Sequence, residues 1–501
     1  MTLKELFKDI SPVKIPKGFA LQEIQSIVSD SRQVTPGSLF VALPGTTTHG
    51  CTFIDEAIQK GAVTIVSAVE VSQNIQNKEV CILGIKDPLQ FLKGALLRFY
   101  GNPSTAVKVF GVTGTNGKTT ITYLLESILN QTVRRCGVIG TVNYRIGERI
   151  LISKNTTPGL VENQIYLAEM TKQGVEYCAM EVSSHALDQG RVDLINFSTA
   201  IFTNLTGDHL DYHKDMENYF EAKSILFKRL SSPASAVINV DDPYGKRLLE
   251  MTREMTRAQI LTYGIISPAD VCAVNIDVQL RGSNFTVLFP AGSVEIKTKL
   301  IGQHNIYNIL ACVAACLSQG ITIEEIKKGI EILRAVAGRL QKVEEATDIH
   351  VFVDYAHTED ALKNVLMSIR RVSATKIILV FGCGGNRDKT KRAKMGKVAS
   401  FWADWSIVTS DNPRNEDPDD IIKEIIRGFV KENYEVIVDR QEAIVKALSI
   451  ARKGDVVLIA GKGHEDYQIF KDKTIHFDDR EVVRDYFLAQ SKMEIFMENR
   501  I

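Results

Sequence analysis

The chain of 501 residues has no excess of charge of either sign. Lysine and arginine together number 60, and aspartate and glutamate also number 60. Proteins that bind nucleic acid over a broad surface carry a basic excess, and disordered chains combine high net charge with few apolar residues. With 45% hydrophobic residues, the composition argues against both classes. It does not exclude a local basic pocket, and at roughly 150 residues per domain the length predicts about three domains.

The sequence also lacks paired cysteines and long apolar runs. Its eight cysteines include no C-x-x-C pair, which argues against a zinc ribbon and predicts reduced, mostly buried thiols. The first residues contain no apolar secretory core. Residues 301–323 are free of charge, but their continuous apolar part, residues 309–317, is too short to cross a bilayer. We therefore expect a cytoplasmic protein with a buried helix at this position.

Short apolar runs separated by helical patterns predict an α/β protein of three domains, with boundaries at 1–101, 102–333 and 334–501. The small first domain has strand candidates at 38–43, 63–68 and 80–85. The central domain is expected to contain a mainly parallel sheet, from runs at 107–114, 136–144, 176–183, 199–205 and 236–240. Residues 270–300 alternate in polarity and predict an antiparallel edge. The third domain is expected to be Rossmann-like, from runs at 350–356, 376–382, 405–410, 434–439 and 455–461.

A strand, a glycine-rich turn and a helix start follow one another at residues 107–129, VKVFGVTGTNGKTTITYLLESIL. This context predicts a phosphate-binding loop, because backbone N–H groups at a helix start favour phosphate oxygens. Lys118 would reach the β- and γ-phosphates, and the Thr119 hydroxyl would bind Mg²⁺. The usual first glycine of the motif is Val112 here. Such a loop fits a kinase, a helicase or a ligase, whereas the N-K-x-D signature of a GTPase is absent.

Three further polar residues have both a functional and a structural interpretation. Glu181 ends an apolar run, where a carboxylate is placed to hold a metal. His209 follows the next run and is either a metal ligand or a loop histidine. Lys223 lies in the helical pattern YFEAKSILF and is either a surface lysine whose stem lies along the helix or a functional cation near phosphates.

Several widely spaced motifs, taken together, resemble the Mur ligase family over residues 26–485. They are GTNGKTT (114–120), MEVSSH (180–185), NLTGDHLDYH (204–213), AK (222–223), GQHNIYN (302–308), GRL (338–340) and VDYAHT (353–358). These enzymes are ATP-dependent amide ligases that extend a UDP-linked peptidoglycan precursor. The resemblance implies a UDP-binding first domain, an ATP-binding second domain and an amino-acid-binding third domain. It also implies small-molecule substrates, ATP and Mg²⁺, a monomer, and neither nucleic acid nor a membrane span.

The resemblance implies a set of nucleotide and metal residues. The ATP-binding residues would be Gly114, Thr115, Asn116, Gly117, Lys118, Thr119, Thr120, Asn305, Asn308, Arg339 and Asp354. Within this set, asparagine would contact adenine, arginine phosphate and aspartate ribose. The Mg²⁺ ligands would be Thr119, Glu181, His209 and Lys223, the last as its carbamate, N6-carboxylysine. Lys118, Glu181, His209 and Lys223 would be catalytic, and His357 would either lie near phosphate or cap the next helix.

Two segments select one reaction within the family. Residues 30–50, DSRQVTPGSLFVALPGTTTHG, resemble the UDP-binding segment of the member that adds the third residue. The UDP-MurNAc-peptide would contact Ser31, Thr46, Thr47, Thr48, Thr156, Thr157, Ser184, Gln189 and Arg191. The DNPR signature at 411–414 implies meso-2,6-diaminopimelate as the amino acid, because the Arg414 fork suits its distal carboxylate. Its contacts would be Arg387, Asp411, Asn412, Pro413, Arg414, Gly461 and Glu465.

Three alternatives stay open at this point. A lysine-adding ligase of the same family shares every motif except the specificity loop. A folylpolyglutamate-synthetase-like ligase shares the central and C-terminal pattern, but residues 30–50 and DNPR disfavour it. A non-catalytic binding protein that kept the fold is disfavoured by the intact Lys118, Glu181, His209 and Lys223.

Overall fold

The computed structural model describes residues 1–10, 13–45, 49–72, 79–132 and 135–498. Three α/β sheets follow one another along this part of the chain. The first sheet has four parallel strands in the order β1-β2-β3-β4. Its strands are β1 (Ser26–Val28), β2 (Ser38–Val41), β3 (Thr64–Ala68) and β4 (Cys81–Ile85), and its helices are α1 (Leu3–Phe7), α2 (Ile54–Gln59), α3 (Val69–Ser72) and α4 (Pro88–Tyr100). The three predicted strands are confirmed, and β1 is an addition.

The central sheet has eleven strands in the order β15-β14-β13-β12-β11-β10-β5-β9-β6-β7-β8. The strands are β5 (Lys108–Thr113), β6 (Arg135–Ile139), β7 (Asn143–Ile146), β8 (Arg149–Ile152), β9 (Val175–Glu181), β10 (Phe197–Phe202), β11 (Ser235–Asn239), β12 (Gln259–Gly264), β13 (Val271–Gln279), β14 (Gly282–Phe289) and β15 (Gly292–Thr298). Helices α5 (Lys118–Leu129), α6 (Leu160–Lys172), α7 (Ser184–Asp188), α8 (Leu210–His213), α9 (Met216–Lys228), α10 (Pro243–Met255), α11 (Gln303–Ser318) and α12 (Ile323–Ile332) connect or follow them.

The central sheet confirms two predictions and corrects one. Strands β13, β14 and β15 pair antiparallel at one edge, and the uncharged segment forms α11, whose residues from Ile309 to Cys316 are fully buried. The run 136–144, expected as one strand, is instead two antiparallel strands, β6 and β7. The chain turns at Gly140–Thr141, where the Glu181 carboxylate accepts the backbone N–H of Thr141 at 2.9 Å.

The C-terminal sheet has six strands in the order β16-β17-β21-β18-β19-β20, all parallel except β16. The strands are β16 (Gln341–Val343), β17 (His350–Asp354), β18 (Ile377–Phe381), β19 (Trp405–Val408), β20 (Tyr434–Val436) and β21 (Val456–Ala460), and β22 (Tyr467–Ile469) and β23 (Thr474–His476) form a separate hairpin. The helices are α13 (Glu359–Val372), α14 (Thr390–Trp402), α15 (Pro418–Ile426), α16 (Arg440–Ile450) and α17 (Asp479–Glu498). The predicted strands are confirmed, although the 434–439 candidate ends at Val436.

A fully buried ion pair fastens α17 to this last sheet. Arg440 donates from Nε and Nη2 to the two carboxylate oxygens of Asp479, at 2.7 and 2.8 Å, and neither side chain is exposed. The same guanidinium donates to the carbonyl of Ala460 at the end of β21. The pair therefore ties the start of α16, the start of α17 and a central strand into one unit.

Hydrogen bonds also link the sheets to one another. Asp360, at the start of α13, accepts from Asn116 in the glycine-rich loop and from Thr206 after β10, both at 3.1 Å. On the other side, Gln33 donates to Glu162 of α6 at 2.8 Å. The polar residues at the carboxyl ends of the central strands thus face the C-terminal sheet, which is where ligands bind in open α/β sheets. Among the described residues, no helix combines the length and the apolar character needed to cross a lipid bilayer.

Candidate active site

The neighbouring strand β10 imposes the shape of the glycine-rich loop. Gly114 and Gly117 have φ angles of 143° and 92°, and a Cβ at Gly114 would lie 1.9 Å from the Thr203 hydroxyl. The Asn204 carbonyl and side-chain oxygen accept the N–H groups of residues 115 and 116, at 2.9 and 3.0 Å. Val112, which replaces the usual glycine, is buried inside β5. The replacement therefore lies in the strand and leaves the loop itself intact.

Two lysines converge on this loop. Lys118 donates to the carbonyl oxygens of Gly114 and Thr115 at 2.9 and 2.8 Å. Lys223 reaches the same Gly114 oxygen at 2.8 Å, and its ammonium lies 4.5 Å from the Tyr219 ring centroid. Its residue exposure is only 2%, so the alternative of a surface lysine is wrong. Burial lowers the pKa of both amines, and the pKa of Lys223 lies well below its ordinary value, with Lys118 adding to the effect.

Glu181 is held in a fixed orientation at the end of β9. Its two carboxylate oxygens accept from the backbone N–H and the hydroxyl of Thr141, at 2.9 and 3.0 Å, and the residue is 1% exposed. The Thr156 hydroxyl lies 3.1 Å from that of Thr141. A Cβ at position 140 would approach a Glu181 oxygen to 2.5 Å, so a larger residue there would displace the carboxylate. One turn of chain therefore orients the carboxylate.

His209 occupies a strained position just before α8. Its φ is 55°, in the left-handed region that histidine seldom adopts, and its Nε2 lies 3.6 Å from a carboxylate oxygen of Asp208. The ring packs edge-on against His185, with centroids 4.9 Å apart. Burial lowers the pKa of His209, while Asp208 acts in the opposite direction. A neutral imidazole of this kind is able to act as a metal ligand.

These groups line one cavity of about 210 Å³. Lys118, Glu181, His209 and Lys223 form its central-domain walls, and residues of the C-terminal domain face them. Among the latter, His357 has its Nδ1 2.9 Å from the Tyr355 carbonyl oxygen. The cap of α13 is Thr358, not His357, so the helix-cap alternative for this histidine is wrong. The sequence therefore predicted four residues that the fold brings together from four separate elements.

The donor set at this cavity fits Mg²⁺ that arrives with a nucleotide. Magnesium prefers oxygen ligands and in phosphate-transfer sites is held by one or two carboxylates together with substrate phosphates. The Glu181 carboxylate and the Thr119 hydroxyl both line the cavity and are of this type. No three His, Cys, Asp or Glu side chains among the described residues gather closely enough to hold a metal by themselves. As a free amine, Lys223 is a donor; only a carbamate would make it a ligand.

A second cavity, of about 350 Å³, adjoins the helix-start side of the glycine-rich loop. The predicted residues that line it are Asn116, Gly117, Thr119, Thr120, Asn308, Arg339 and Asp354. Asn305 does not line it: its amide donates to Ile301 and accepts from Asn308, whose own oxygen abuts Gly117. Asn305 thus supports Asn308 from behind. Sequence reasoning missed Asn239, Asp241, Tyr263, His304, Tyr307, Asp360 and Asn364.

Arg339 lies between the two cavities and lines both. It donates to the Thr119 hydroxyl at 2.9 Å, and its guanidinium carbon lies 4.9 Å from the Tyr355 ring centroid. Among the described residues, its buried Nε has no hydrogen-bond partner. Asp354, by contrast, accepts the backbone N–H groups of Leu340 and Ala356, at 2.5 and 2.8 Å. The Nε of Arg339 is therefore available to donate to an incoming phosphate. Asp354 holds in place the segment that contains Arg339.

The residues predicted to hold a UDP-linked peptide divide into lining and supporting groups. Ser184 and Thr156 line the smaller cavity. Thr157 is fully buried, donates to the Glu181 carbonyl at 2.8 Å and accepts the Ser183 N–H, so it supports the end of β9. Ser183 caps α7, and its hydroxyl accepts the backbone N–H of Ala186.

The remaining residues of this group lie farther out or outside the described part of the chain. Gln189 accepts both Nε and Nη2 of Arg191, at 2.9 and 2.6 Å, near the surface. Ser31 is buried in the first domain and donates to Glu56 at 2.9 Å. The predicted contacts Thr46, Thr47 and Thr48 lie outside the described residues.

The residues predicted to bind the amino acid form a polar cluster beside the C-terminal strands. Asn412 donates to Glu465 at 2.8 Å and accepts the ammonium of Lys462 at 3.1 Å. Arg414 has a φ of 54° and donates to the Gly385 carbonyl at 2.9 Å. Burial raises the pKa of Glu465. Sequence reasoning missed Lys462, whose side chain is fully buried although it belongs to the same GKGHE segment.

Other predicted members of the cluster differ in exposure. Asp411 is buried, and a Cβ at Gly461 would approach its carboxylate to 2.6 Å. Pro413 is buried beside it, and Arg387 is exposed. The Tyr355 ring packs against that of His464, with centroids 5.1 Å apart. This contact brings the amino-acid cluster next to the cavity that contains Lys118 and Glu181.

Comparison with known protein families gives matches along most of the chain. The Mur ligase family catalytic domain matches residues 23–100, the Mur ligase middle domain residues 112–316, and the Mur ligase glutamate ligase domain residues 338–463.

Individual relatives match over more than nine tenths of the chain. The UDP-N-acetylmuramoyl-L-alanyl-D-glutamate–2,6-diaminopimelate ligase of Clostridium tetani is 43% identical over 487 residues, covering 97% of this chain and 99% of the relative. The ligase of the same name from Geobacillus thermodenitrificans is 43% identical over 470 residues, covering 92% and 94%. A solved structure of a ligase of this name superposes with a TM-score of 0.69 at 33% identity, covering 98% of this chain and 100% of that one.

Proposed function

Since this chain belongs to the Mur ligase family, we propose that it uses ATP to join meso-2,6-diaminopimelate to UDP-MurNAc-L-Ala-D-Glu in the cytoplasmic synthesis of peptidoglycan precursors. The observation that carries the proposal is the single cavity shared by Lys118, Glu181 and Lys223, which lies next to the cluster containing Arg414. The first site suits phosphoryl transfer, and the second suits an amino acid with an additional carboxylate. We propose domains at 1–101, 102–333 and 334–501, and a monomer as the working unit.

The proposed reaction has two steps. In the first, a carboxylate oxygen of the D-glutamyl residue attacks the γ-phosphorus of ATP, the bond to the β-phosphate oxygen breaks, and ADP leaves from an acyl phosphate. In the second, the amine of diaminopimelate attacks the acyl carbon to form a tetrahedral intermediate. Collapse of this intermediate expels phosphate, and the amine proton passes to solvent or phosphate. One amide bond forms as one phosphoanhydride bond is consumed.

Lys118 and Arg339 supply positive charge for the first step. Lys118 exchanges the carbonyls of Gly114 and Thr115 for phosphate oxygens, and Arg339 offers its Nε, which has no partner in the described part of the chain. Fixed cations around a transferring phosphoryl group stabilise the charge on its equatorial oxygens. Mg²⁺, when bound, would neutralise further phosphate charge, held by Thr119, Glu181, His209 and a carbamylated Lys223. Asn308 would contact the nucleotide beside Gly117.

Carbamylation explains why a lysine is buried at this position. A neutral amine attacks carbon dioxide, a C–N bond forms, and one proton leaves, which converts a donor into an anionic carboxylate-like group. Lys223 meets the first requirement, since burial and the neighbouring Lys118 hold its pKa well below the ordinary value. The product would place an anion opposite Glu181, where a divalent cation needs a second acidic ligand.

The C-terminal domain would protect the acyl phosphate from water. Asp360 contacts the glycine-rich loop through Asn116, and Tyr355 and His357 complete the wall of the cavity. Residues 101–104 and 334–338 are the hinges that we propose for opening. Exclusion of water from such a site prevents hydrolysis of a reactive intermediate.

Phosphate release from ATP tests this function. The full chain, with Mg²⁺ and UDP-MurNAc-L-Ala-D-Glu, is given meso-diaminopimelate or L-lysine at equal concentration. We expect turnover with diaminopimelate and little with lysine. Preference for lysine would support the ligase reaction but overturn the role of Arg414 in selecting diaminopimelate. Absence of turnover with both amino acids would overturn the proposed reaction.

A further inference from the structure

A third concave surface, of about 700 Å³, lies where the central and C-terminal domains meet. Its walls come from the β13–β14 turn (280–281), the segment that follows β15 (299–301), the linker leading into β16 together with β16 itself (334–345), and the first turns of α17 (480–484). We call it the hinge groove. Seven of its lining residues are basic and two are acidic, so its walls carry a formal charge of +5 in a chain with zero net charge.

Three of the seven basic residues have carboxylate partners. Lys342 pairs with Glu344 and Arg484 with Glu345, each at 3.1 Å. Arg480 pairs with Asp478 two residues before it. The Glu344 side chain is 80% exposed, so its pair with Lys342 is weakened by solvent. These pairs account for both acidic residues of the groove.

The other four basic residues lack such partners. Within the part of the chain that the structure describes, Arg281, Lys299, Arg334 and Arg339 have no carboxylate within 4 Å. Arg281, Lys299 and Arg334 are exposed. In addition, the pKa of the nearby His350 is lowered, by burial first and then by Lys342 and Arg281. The groove therefore concentrates unneutralised positive charge in a concave space.

We propose that the hinge groove binds a small oligophosphate anion. Guanidinium groups pair with phosphate through parallel hydrogen bonds, and a concave basic surface raises the local concentration of anions. The volume lies within the range of about 300 to 1,000 Å³ that is typical of small-molecule sites. An anion of two or more linked phosphates offers negative charge to cations on more than one wall of the groove.

The bound anion would link two domains. Arg281 lies in the turn between β13 and β14 and Lys299 directly follows β15, whereas Lys342 and Arg484 belong to β16 and α17. One oligophosphate in contact with both pairs would hold the domains in their present arrangement. These four residues are distinct from those of the reaction proposed above, because none of them lines either active-site cavity.

Two residues that line the hinge groove connect it to the glycine-rich loop and the helix that follows. Arg339 lines the groove and donates to Thr119 at 2.9 Å. Asn305 lines it as well and accepts from Asn308, which abuts Gly117. An anion in the groove would therefore compete with the active-site phosphates for Arg339, and the groove is a place from which nucleotide binding is controlled.

Calorimetry on the full chain tests the site. The nucleotide cavity is first saturated with adenylyl imidodiphosphate and excess Mg²⁺, and inorganic tripolyphosphate is then titrated. We expect one additional binding site. The double variant R281E/R334E should weaken its affinity about tenfold or more, because two cations become anions. The matched control is R257E/K328E, which makes the same charge change at two exposed residues outside the groove and should leave the affinity unchanged.

The outcomes separate the alternatives. No saturable site beyond the nucleotide, or equal affinity in R281E/R334E and the parent protein, would overturn the proposal. If charge reversal unfolds the chain, R281A/R334A with an intact circular dichroism spectrum replaces it under the same criterion. A parallel titration with GTP identifies the source: tighter binding than tripolyphosphate assigns a nucleotide packed on Leu280 and Leu340, and equal binding assigns an inorganic oligophosphate. Both results support the site.

Discussion

The Nζ atoms of Lys118 and Lys223 donate to one and the same carbonyl oxygen, that of Gly114, at 2.9 and 2.8 Å. Two ammonium groups so close repel each other, and the pKa of Lys223 falls as a result of burial and of this neighbour. The phosphate-binding cation thus helps to keep the second lysine neutral. A neutral lysine is the form that reacts with carbon dioxide.

The first prediction is a carbamate on Lys223. Incubation with ¹³C-bicarbonate should give one carbamate signal in the carbon-13 NMR spectrum of the protein, and K223A should lose it. The exposed Lys228, on the same helix, gives the control variant K228A, which should keep the signal. A parent spectrum without the signal would refute the modification.

The second prediction concerns Glu181. E181Q keeps the shape and the contacts with Thr141 but removes the negative charge, so Mg²⁺-ATP turnover should fall about 100-fold or more. The midpoint of the Mg²⁺ titration should also rise. E176Q, on the same strand but exposed, should show neither effect. A normal Mg²⁺ midpoint in E181Q would remove Glu181 from the metal site.

The third prediction concerns the choice of amino acid. R414A should lower kcat/KM for meso-diaminopimelate about 100-fold, because a buried carboxylate contact is lost. R414K should recover only part of this loss, since an ammonium cannot make the paired hydrogen bonds of a guanidinium. Activity with L-lysine should change little in either variant. An equal loss for both amino acids would show that Arg414 has a structural role.

The fourth prediction is a pH-dependent stability contribution from Asp241. Burial would raise the pKa of this carboxyl, but hydrogen bonds from the backbone N–H groups of Ile265, Ile266 and Ser267 and from the Tyr307 hydroxyl lower it to about 2. In the unfolded chain the pKa is about 3.9, so the stabilisation is complete above pH 4 and is lost as pH falls towards 2.

Urea unfolding at several pH values measures this contribution. D241N should be less stable than the parent by about 2 kcal/mol at pH 7, and the difference should shrink as pH falls from 4 to 2. D277N, at an exposed residue of β13, is the control and should differ little at any pH. A difference between D241N and the parent that stays constant down to pH 2 would contradict the assignment.

The fifth prediction concerns the buried pair of Arg440 and Asp479. R440M leaves a carboxylate without its cation in the protein interior, which should lower the free energy of unfolding by about 3 to 5 kcal/mol. K423M breaks an exposed pair with Asp420 and should cost less than about 1 kcal/mol. Similar losses in the two variants, measured by urea denaturation, would show that burial does not increase the contribution of an ion pair to the free energy of unfolding.

The sequence predicted most of the fold because strands and helices have strong local patterns. It predicted Lys118, Glu181, His209 and Lys223 as one site through their motifs, and the structure places them around one cavity. It did not predict which groups support them. The fixing of the Glu181 carboxylate by Thr141 depends on a turn that breaks an apolar run, and no local pattern marks that turn.

Contacts between distant parts of the chain were also beyond sequence reasoning. Asp360 is an ordinary acidic residue in the first turn of a helix until the fold brings it to Asn116, 244 residues earlier in the chain. The displacement of Asn305 from the nucleotide cavity has a local origin instead, because the start of its helix turns the side chain towards Ile301, four residues earlier. The residue types predicted the chemistry of the site. Only the three-dimensional arrangement showed which residues line the cavities and which support the lining residues.

The link between Arg440 and Asp479 also has a consequence for how the protein is made. As the chain emerges from the ribosome, α16 and β21 are synthesised before α17. Arg440 therefore has no ion-pair partner until Asp479, 39 residues later, has been added. The first two domains have all their strands by residue 298 and are free to fold earlier, as N-terminal domains do. The third domain completes its interior only after residue 479 has been synthesised. Premature termination just before residue 479 would therefore yield a protein with a folded nucleotide-binding domain and an unfinished amino-acid domain.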